Sequence, residues 1–453
     1  GQTYVDRYKA NILADGSTVV AERVSFAPQP QSAMTIIDQH TGYVKAIIGG
    51  RGTKTASLTL NRATDSTRQP GSTFKIVSTY AAALNEKGMT LATTYEDQPI
   101  TYDNGAPVNN ASGSFNGTTT IRTAIRNSVN TVAVQCFEDV TPELGLKYLD
   151  NFGFTTLAHG TEADTDANGN VYTDANLPTA LGGLTYGVKN VELCAAYAAI
   201  ANGGNYIKPV YYTKILDHNG NVLIENNSVG RSVIKETTAY LLTSALEDVV
   251  QNGTGTACQL DNMAVAGKTG TTDAYNDLWF VGYTPYYTCA VWSGYDGNQK
   301  IPEGDARNFH KTLWRKVMNR IHQGMEYKDF EVPDGIEQIS ICADTGLLPR
   351  VGCPVTEEYF DVGTMPTEYC DQHFYEYDES QDEDMEIYDV NATPTPDPEN
   401  PDGTDNTDGS GGDGTGGDGT GGDGTGGDGT GGGDIQYPDE SGGDSGNDDI
   451  YYY

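Results

Sequence analysis

Arg350 is the last basic residue of this 453-residue chain, and that boundary restricts where a fold can form. Residues 351–453 hold 28 Asp and Glu and no Lys or Arg, whereas residues 1–350 hold 35 acids against 27 bases. Most of the formal charge of −36 therefore belongs to the last quarter of the chain. From about Asp378 the sequence is rich in Gly, Pro, Ser and Thr, and residues 411–430 are four copies of Gly-Gly-Asp-Gly-Thr. Such a stretch has almost no apolar surface to bury and cannot offset the entropy of ordering, so residues 376–453 are expected to be a disordered acidic tail. A solvated spacer fits better than a calcium β-roll, which needs a nine-residue period with an apolar position where this repeat has five residues and none. The acidic balance also argues against a nucleic-acid partner.

The body reads as alternating strands and helices. Residues 34–48 form two β-rich runs around a short loop with Gly42, which predicts a hairpin. After Pro70-Gly71, residues 72–86 place Phe74, Ile76, Val77, Tyr80, Ala81 and Leu84 at helical spacing, and Gly88 ends the run. Further helices are expected after Asn130, over 190–202 and over 235–250. A second hairpin is expected from Val210–Leu216 and Val222–Glu225 around Asp217-His218-Asn219-Gly220. Three β-runs follow at 263–272, 278–283 and 288–294. Strands near both ends with helices between them predict an α+β domain, its antiparallel sheet assembled from distant segments with helices packed on it.

Three short segments carry chemistry. Ser72 and Lys75 lie three apart on one expected helix and so share a face. A serine hydroxyl is a weak nucleophile unless a neutral amine or another base takes its proton, and burial or a neighbouring cation lowers a lysine pKa towards that role. Ser128-Val129-Asn130 sets a hydroxyl beside an amide, suited to relaying a proton and holding a peptide; an ordinary helix cap has the same composition. Lys268-Thr269-Gly270-Thr271 ends a β-run. There a cation and hydroxyls on an edge strand can grip a carboxylate while Gly270 permits close approach. A phosphate-binding loop is excluded, since Asn262 stands where Gly-x-x-x-x-Gly-Lys-Thr needs its first Gly.

Together, in this order, the three segments resemble the motif set of the transpeptidase domain of class A (bifunctional) penicillin-binding proteins. The resemblance extends to Pro28–Met34, Asp38–Gly42, Gly49-Gly50-Arg51-Gly52, Asn61-Arg62-Ala63, Arg68-Gln69-Pro70-Gly71-Ser72, Ala180-Leu181-Gly182-Gly183, Ala201-Asn202-Gly203-Gly204 and Gly267–Pro285. It covers roughly residues 28–375, with residues 1–27 expected to be the remnant of an interdomain linker. The resemblance implies the penicillin-binding/serine β-lactamase-like fold and a D,D-transpeptidase that cross-links peptidoglycan stem peptides through an acyl-enzyme on Ser72. It further implies Lys75 as base, Ser128 as proton relay, Asn130 as donor-peptide contact, and Lys268, Thr269 and Thr271 as carboxylate binders. Backbone N–H groups of Ser72 and Thr271 would form the oxyanion hole. β-Lactam antibiotics would acylate the same serine, and no cofactor is required. The family's glycosyltransferase domain and membrane helix do not occur in this sequence. A membrane anchor is expected upstream, which implies work on the extracytoplasmic face of a bacterial membrane.

Rival readings use the same residues. A D,D-carboxypeptidase would accept water instead of an amine, and a non-catalytic penicilloyl-binding sensor or a vestigial binder would not turn over. A β-lactamase would need a carboxylate to activate water. Glu143 is the candidate, but it reads as an ordinary helix-start residue. Separately, Cys342, Cys353, Cys370 and His373 fall close together, with Cys370-x-x-His373 at metal-ligand spacing. A structural zinc site, a Cys342–Cys353 disulfide and free thiols are the three readings open for them. Cys136, Cys194, Cys258 and Cys289 are expected in the core.

Overall fold

The computed structural model describes residues 29–54, 56–226 and 229–373, together with the backbone of short strands at 3–7, 11–12, 18–19 and 22–26. The expected disordered tail lies outside the described residues, as do 13 of the 27 residues of the expected linker segment. Within that segment, strand Thr3–Arg7 pairs antiparallel with Glu22–Phe26.

The centre of the fold is a five-stranded antiparallel sheet. Its strands are β1 (Gln31–Asp38), β2 (Tyr43–Ile48), β3 (Ala266–Thr271), β4 (Asp277–Tyr283) and β5 (Thr288–Gly294), in the order β3-β4-β5-β1-β2. The first hairpin thus meets the last three strands across more than 200 residues of chain, with β5 pairing β1 from Thr288↔Ile37 to Gly294↔Gln31. The inner strands β1, β4 and β5 are buried on both faces, which explains why β4 and β5 read as nearly continuous apolar runs. Period-2 alternation sorts their side chains. Ile37, Trp279, Val281 and Trp292 face the main core, while Ile36, Phe280 and Val291 face a second cluster containing Trp314 and Met318.

Helices cover both faces. They are α1 (Ala81–Glu86), α2 (Ile121–Asn127), α3 (Asn130–Val140), α4 (Pro142–Asn151), α5 (Asn190–Ala201), α6 (Glu236–Asn252) and α7 (Phe309–Ile321). Helix α5 is apolar on every side and buried from Asn190 to Ile200, which makes it the central helix of the domain. Its polar start is satisfied inside the core: Asn190 Oδ1 accepts from Thr35 Oγ1 at 2.6 Å and Asn190 Nδ2 donates to the Ala290 carbonyl at 3.2 Å. On the opposite face, α7 inserts Trp314 edge-on against Phe280 at 4.9 Å between ring centroids.

Two sequence expectations change in detail. The run 72–86 is helical but not a continuous α-helix: a 3₁₀ turn at Gly71–Thr73 passes into a π-helical segment at Ile76–Tyr80 and only then into α1. In the second hairpin the first strand shrinks to Lys214–Leu216, paired with Val222–Glu225, and Val210 bridges to Tyr43 instead. All seven residues of that hairpin are exposed, so no buried face specifies its length. The last described element is a hairpin of β6 (Ile336–Cys342) and β7 (Val355–Asp361). It is tied to α2 by the buried pair Arg122 and Glu358, 2.6 Å apart. Cys136, Cys194, Cys258 and Cys289 are all buried, as expected.

Candidate active site

Ser72 sits partly exposed in the short 3₁₀ turn, and Lys75 follows it one helical turn later, wholly buried. The turn is fixed from several sides. Trp279 Nε1 on β4 donates to the Gln69 carbonyl at 2.9 Å, and Tyr197 Oη on α5 donates to the Thr73 carbonyl at 2.6 Å. The Gln69 side chain bonds the Leu184 backbone in both directions, at 2.6 and 2.9 Å. Downstream, Ser78 Oγ bonds back to the Phe74 carbonyl at 2.8 Å within the widened turn. Irregular helical geometry of this kind often marks a functional position.

Lys75 is held away from solvent by the second motif. Its Nζ lies 2.7 Å from the Ser128 carbonyl, 2.6 Å from Asn130 Oδ1, 3.2 Å from the Val129 carbonyl and 3.3 Å from Ser128 Oγ. Burial, and then the positive charge of Lys268, hold the Lys75 amine well below the usual lysine range. Among the described residues no carboxylate lies within ion-pair distance of it.

The loop supplying these acceptors is not the N-cap that its composition suggests. Ser128 is the C-cap of α2 in the left-handed region, φ 59° and ψ 41°, and its N–H bonds the Ile125 carbonyl; Val129 then starts α3. A non-glycine residue there costs about 1–2 kcal/mol relative to a right-handed backbone, and such strain is characteristic of functional loops. The kink turns the Ser128 carbonyl and hydroxyl together onto Lys75.

A buried carboxylate with no motif around it to mark it supports this loop. Asp97, 1% exposed, accepts from Asn110 Nδ2, Thr131 Oγ1 and both the backbone N–H and Nδ2 of Asn116. Asn110 Oδ1 in turn accepts the Asn130 N–H at 2.8 Å, and Asn130 Nδ2 donates to the Asn109 carbonyl at 2.6 Å. The Asn130 amide is therefore oriented by partners at both ends, which directs its oxygen to Lys75.

The third motif lies on β3, the edge strand of the sheet. Lys268 is wholly buried, and burial pushes its pKa down to about 7. Thr269, on the alternate face, shares a 2.7 Å hydroxyl contact with Thr254, and Thr271 is exposed at the strand end. Glycines let the strand meet the Ser72 turn. A Cβ on Gly71, whose φ is +54°, would lie 2.9 Å from the Thr271 carbonyl oxygen, and one on Gly270 would lie 2.6 Å from that of Pro70. A Cβ on Gly182 would come within 2.4 Å of the Gly71 carbonyl oxygen. Gly182 belongs to the Ala180–Gly183 segment, whose sequence carries no chemical group to mark it.

The structure thus brings Ser72, Lys75, Ser128, Asn130, Lys268, Gly270 and Thr271 to one end of the sheet beside an unpaired strand edge. Glu143 does not join them; it lies exposed in the first turn of α4, which Thr141 caps. The cysteine–histidine group also stands apart, at the end of the β6–β7 hairpin.

Comparison with known proteins identifies the family. Residues 32–319 match the penicillin binding protein transpeptidase domain, and residues 332–375 match the C-terminal domain of penicillin-binding protein 1A. Penicillin-binding protein 1A of Clostridium tetani is 34% identical over 362 residues, covering 76% of this chain and 45% of the relative. That of Clostridium novyi is 36% identical over 364 residues, covering 76% and 40%. The chain therefore spans less than half the length of these curated relatives. Among solved structures, penicillin-binding protein 1A from Haemophilus influenzae superposes with a TM-score of 0.64 at 24% identity, covering 80% of this chain and 57% of that one. The PonA1 protein of Mycobacterium tuberculosis in complex with penicillin V gives 0.59 at 26%, covering 68% and 82%. The chain belongs to the penicillin-binding protein transpeptidase family.

Proposed function

We propose that this chain is a serine D,D-transpeptidase acting on peptidoglycan stem peptides, with the acyl-enzyme carried on Ser72. The observation that carries the reading is the Lys75 environment. A neutral lysine has two N–H donors and one lone pair. The Ser128 carbonyl and Asn130 Oδ1, the two nearest acceptors, can take both donors and leave the lone pair for a hydroxyl proton.

On this reading Ser72 Oγ attacks the carbonyl between the last two D-alanines as Lys75 takes its proton. The N–H groups of Ser72 and Thr271 stabilise the oxyanion. The C–N bond then breaks, and D-alanine leaves with a proton passed through Ser128. An amine of a second stem peptide attacks the ester, and Ser72 Oγ recovers its proton. Asn130 holds the donor peptide, Lys268, Thr269 and Thr271 hold the terminal carboxylate, and the donor backbone lies along the β3 edge as an added strand. A β-lactam acylates Ser72 by the same first step. The substrate places this chemistry on the extracytoplasmic side of a bacterial membrane. Among the described residues no helix is long and apolar enough to cross one.

The test incubates the protein with a D-alanyl-D-alanine stem pentapeptide and an amine acceptor, and follows products by mass spectrometry. Transpeptidation predicts D-alanine release with an amine-joined product. Release of D-alanine with only a hydrolysed tetrapeptide would support the carboxypeptidase reading. A long-lived penicillin adduct without peptide turnover would support the sensor.

A further inference from the structure

Cys342, Cys353, Cys370 and His373 come from three separate stretches of chain and converge at one end of the β6–β7 hairpin. Cys342 closes β6, where its N–H bonds the Leu347 carbonyl at 2.8 Å and its carbonyl accepts from the Gly346 N–H at 2.9 Å. Cys353 lies in the connection that leads into β7. Cys370 is brought in by its N–H bonding the Leu348 carbonyl at 2.8 Å. The three Sγ atoms and the imidazole nitrogen all lie within 4.8 Å of one another, and all three cysteines are free thiols.

The histidine is oriented as a metal ligand. Its Nδ1 is 3.5 Å from Cys342 Sγ and 3.3 Å from Cys370 Sγ, while its Nε2 lies 3.2 Å from an Asp344 carboxylate oxygen. One ring nitrogen thus faces the sulfurs and the other is held by a carboxylate, the usual outer partner of a ligating histidine. Around a tetrahedral Zn²⁺ the sulfur–nitrogen separations are about 3.6 Å and the sulfur–sulfur separations about 3.8 Å. The observed spacing therefore needs little adjustment. The Cys353 sulfur also accepts the Arg350 N–H at 3.2 Å, a contact that offsets thiolate charge. A disulfide would use two sulfurs and leave the third with a histidine already aimed at the group.

The need for such a site follows from the small core nearby. Its fully buried apolar residues are Ala92, Ile341 and Phe360, with Ile339 and Met365 half buried against them. Small units with so little to bury are commonly closed by a metal or a disulfide. We propose that Cys342, Cys353, Cys370 and His373 form a Cys₃His structural zinc site that closes the C-terminal hairpin. Four protein ligands leave no open position, so the site is structural rather than catalytic. Binding displaces the three thiol protons to solvent, and affinity falls as pH falls.

The test is metal analysis of the full chain purified with reductant and without chelator. One equivalent of zinc per chain is expected, lost in His373→Ala and Cys370→Ser and retained in His373→Cys, which restores a four-ligand set. Replacement of zinc by Co²⁺ should give the visible ligand-field bands and sulfur-to-cobalt charge transfer of tetrahedral thiolate coordination. Penicillin labelling at Ser72 should persist in His373→Ala, which shows that this variant has folded. Zinc far below one equivalent, with the three thiols freely alkylated, would overturn the proposal. So would a Cys342–Cys353 disulfide found by peptide mapping.

Discussion

Lys75 Nζ lies 2.6 Å from Asn130 Oδ1, so the amide of the second motif is the nearest neighbour of the buried amine of the first. A neutral oxygen at this position can orient the amine without adding charge. In Asn130→Asp a carboxylate takes its place, and an opposite charge at that distance raises a lysine pKa. If neutral Lys75 is the base, the acid limb of the rate of β-lactam acylation should move to higher pH by at least about one unit. The pH profile of acylation, wild type against variant, measures the shift.

Lys268 is buried and its pKa lies at about 7, below the unfolded value of about 10.4. Between these pH values the unfolded chain binds more protons than the folded one, so stability rises with pH across that window. Lys268→Met removes the buried charge. Below pH 7 it should stabilise the protein by up to about 3–5 kcal/mol, and the gain should fade as pH approaches 10. Acylation by carboxylate-bearing β-lactams should fall at least tenfold in the same variant. Denaturant unfolding at pH 6 and 10, paired with acylation kinetics, tests both halves of this opposition between stability and function.

The left-handed backbone of Ser128 separates two roles of one residue. Ser128→Ala and Ser128→Gly both remove the hydroxyl, and both should slow acylation to a similar extent. Only Gly relieves the backbone, so Ser128→Gly should be more stable than Ser128→Ala by about 1 kcal/mol. Equal stabilities in urea unfolding would show that the strain is not present in solution.

Gly71 and Gly88 both have positive φ, +54° and +68°, but only Gly71 faces a neighbour. Gly88→Ala should therefore cost about 1 kcal/mol through backbone strain alone. Gly71→Ala must in addition push its methyl into the Thr271 backbone. It should cost more, and it should slow acylation because Ser72 and Thr271 would move apart. Thermal unfolding and penicillin acylation of the pair separate strain from contact.

The fold was readable where burial imposes a period. The apolar runs of β4 and β5 and the largely apolar stretch of α5 each forced an element. The π-helical segment at Ile76–Tyr80 left no mark, because its apolar residues suit an α-helix equally well. Ser72, Lys75 and the 268–271 strand were readable as candidates because their residue types and spacing carry chemistry. Asp97, Asn110 and Gly182 were not. Their part in the site depends on contacts with residues 13 to more than 100 positions away, and such pairings are set by tertiary packing. Ser128 stands out in the sequence for its hydroxyl, with an ordinary helix cap as the alternative, and the structure makes it the left-handed C-cap of α2. Serine is favoured at N-caps, and nothing local announces a left-handed C-cap.

Acylation of Ser72 underlies every step proposed for this chain, and intact-protein mass spectrometry after penicillin exposure reads it out. Wild type should gain the mass of one penicilloyl group, located by peptide mapping to the segment containing Ser72, and Ser72→Ala should gain none. An adduct of the same mass in folded Ser72→Ala would place the acylated group elsewhere and overturn the assignment of Ser72.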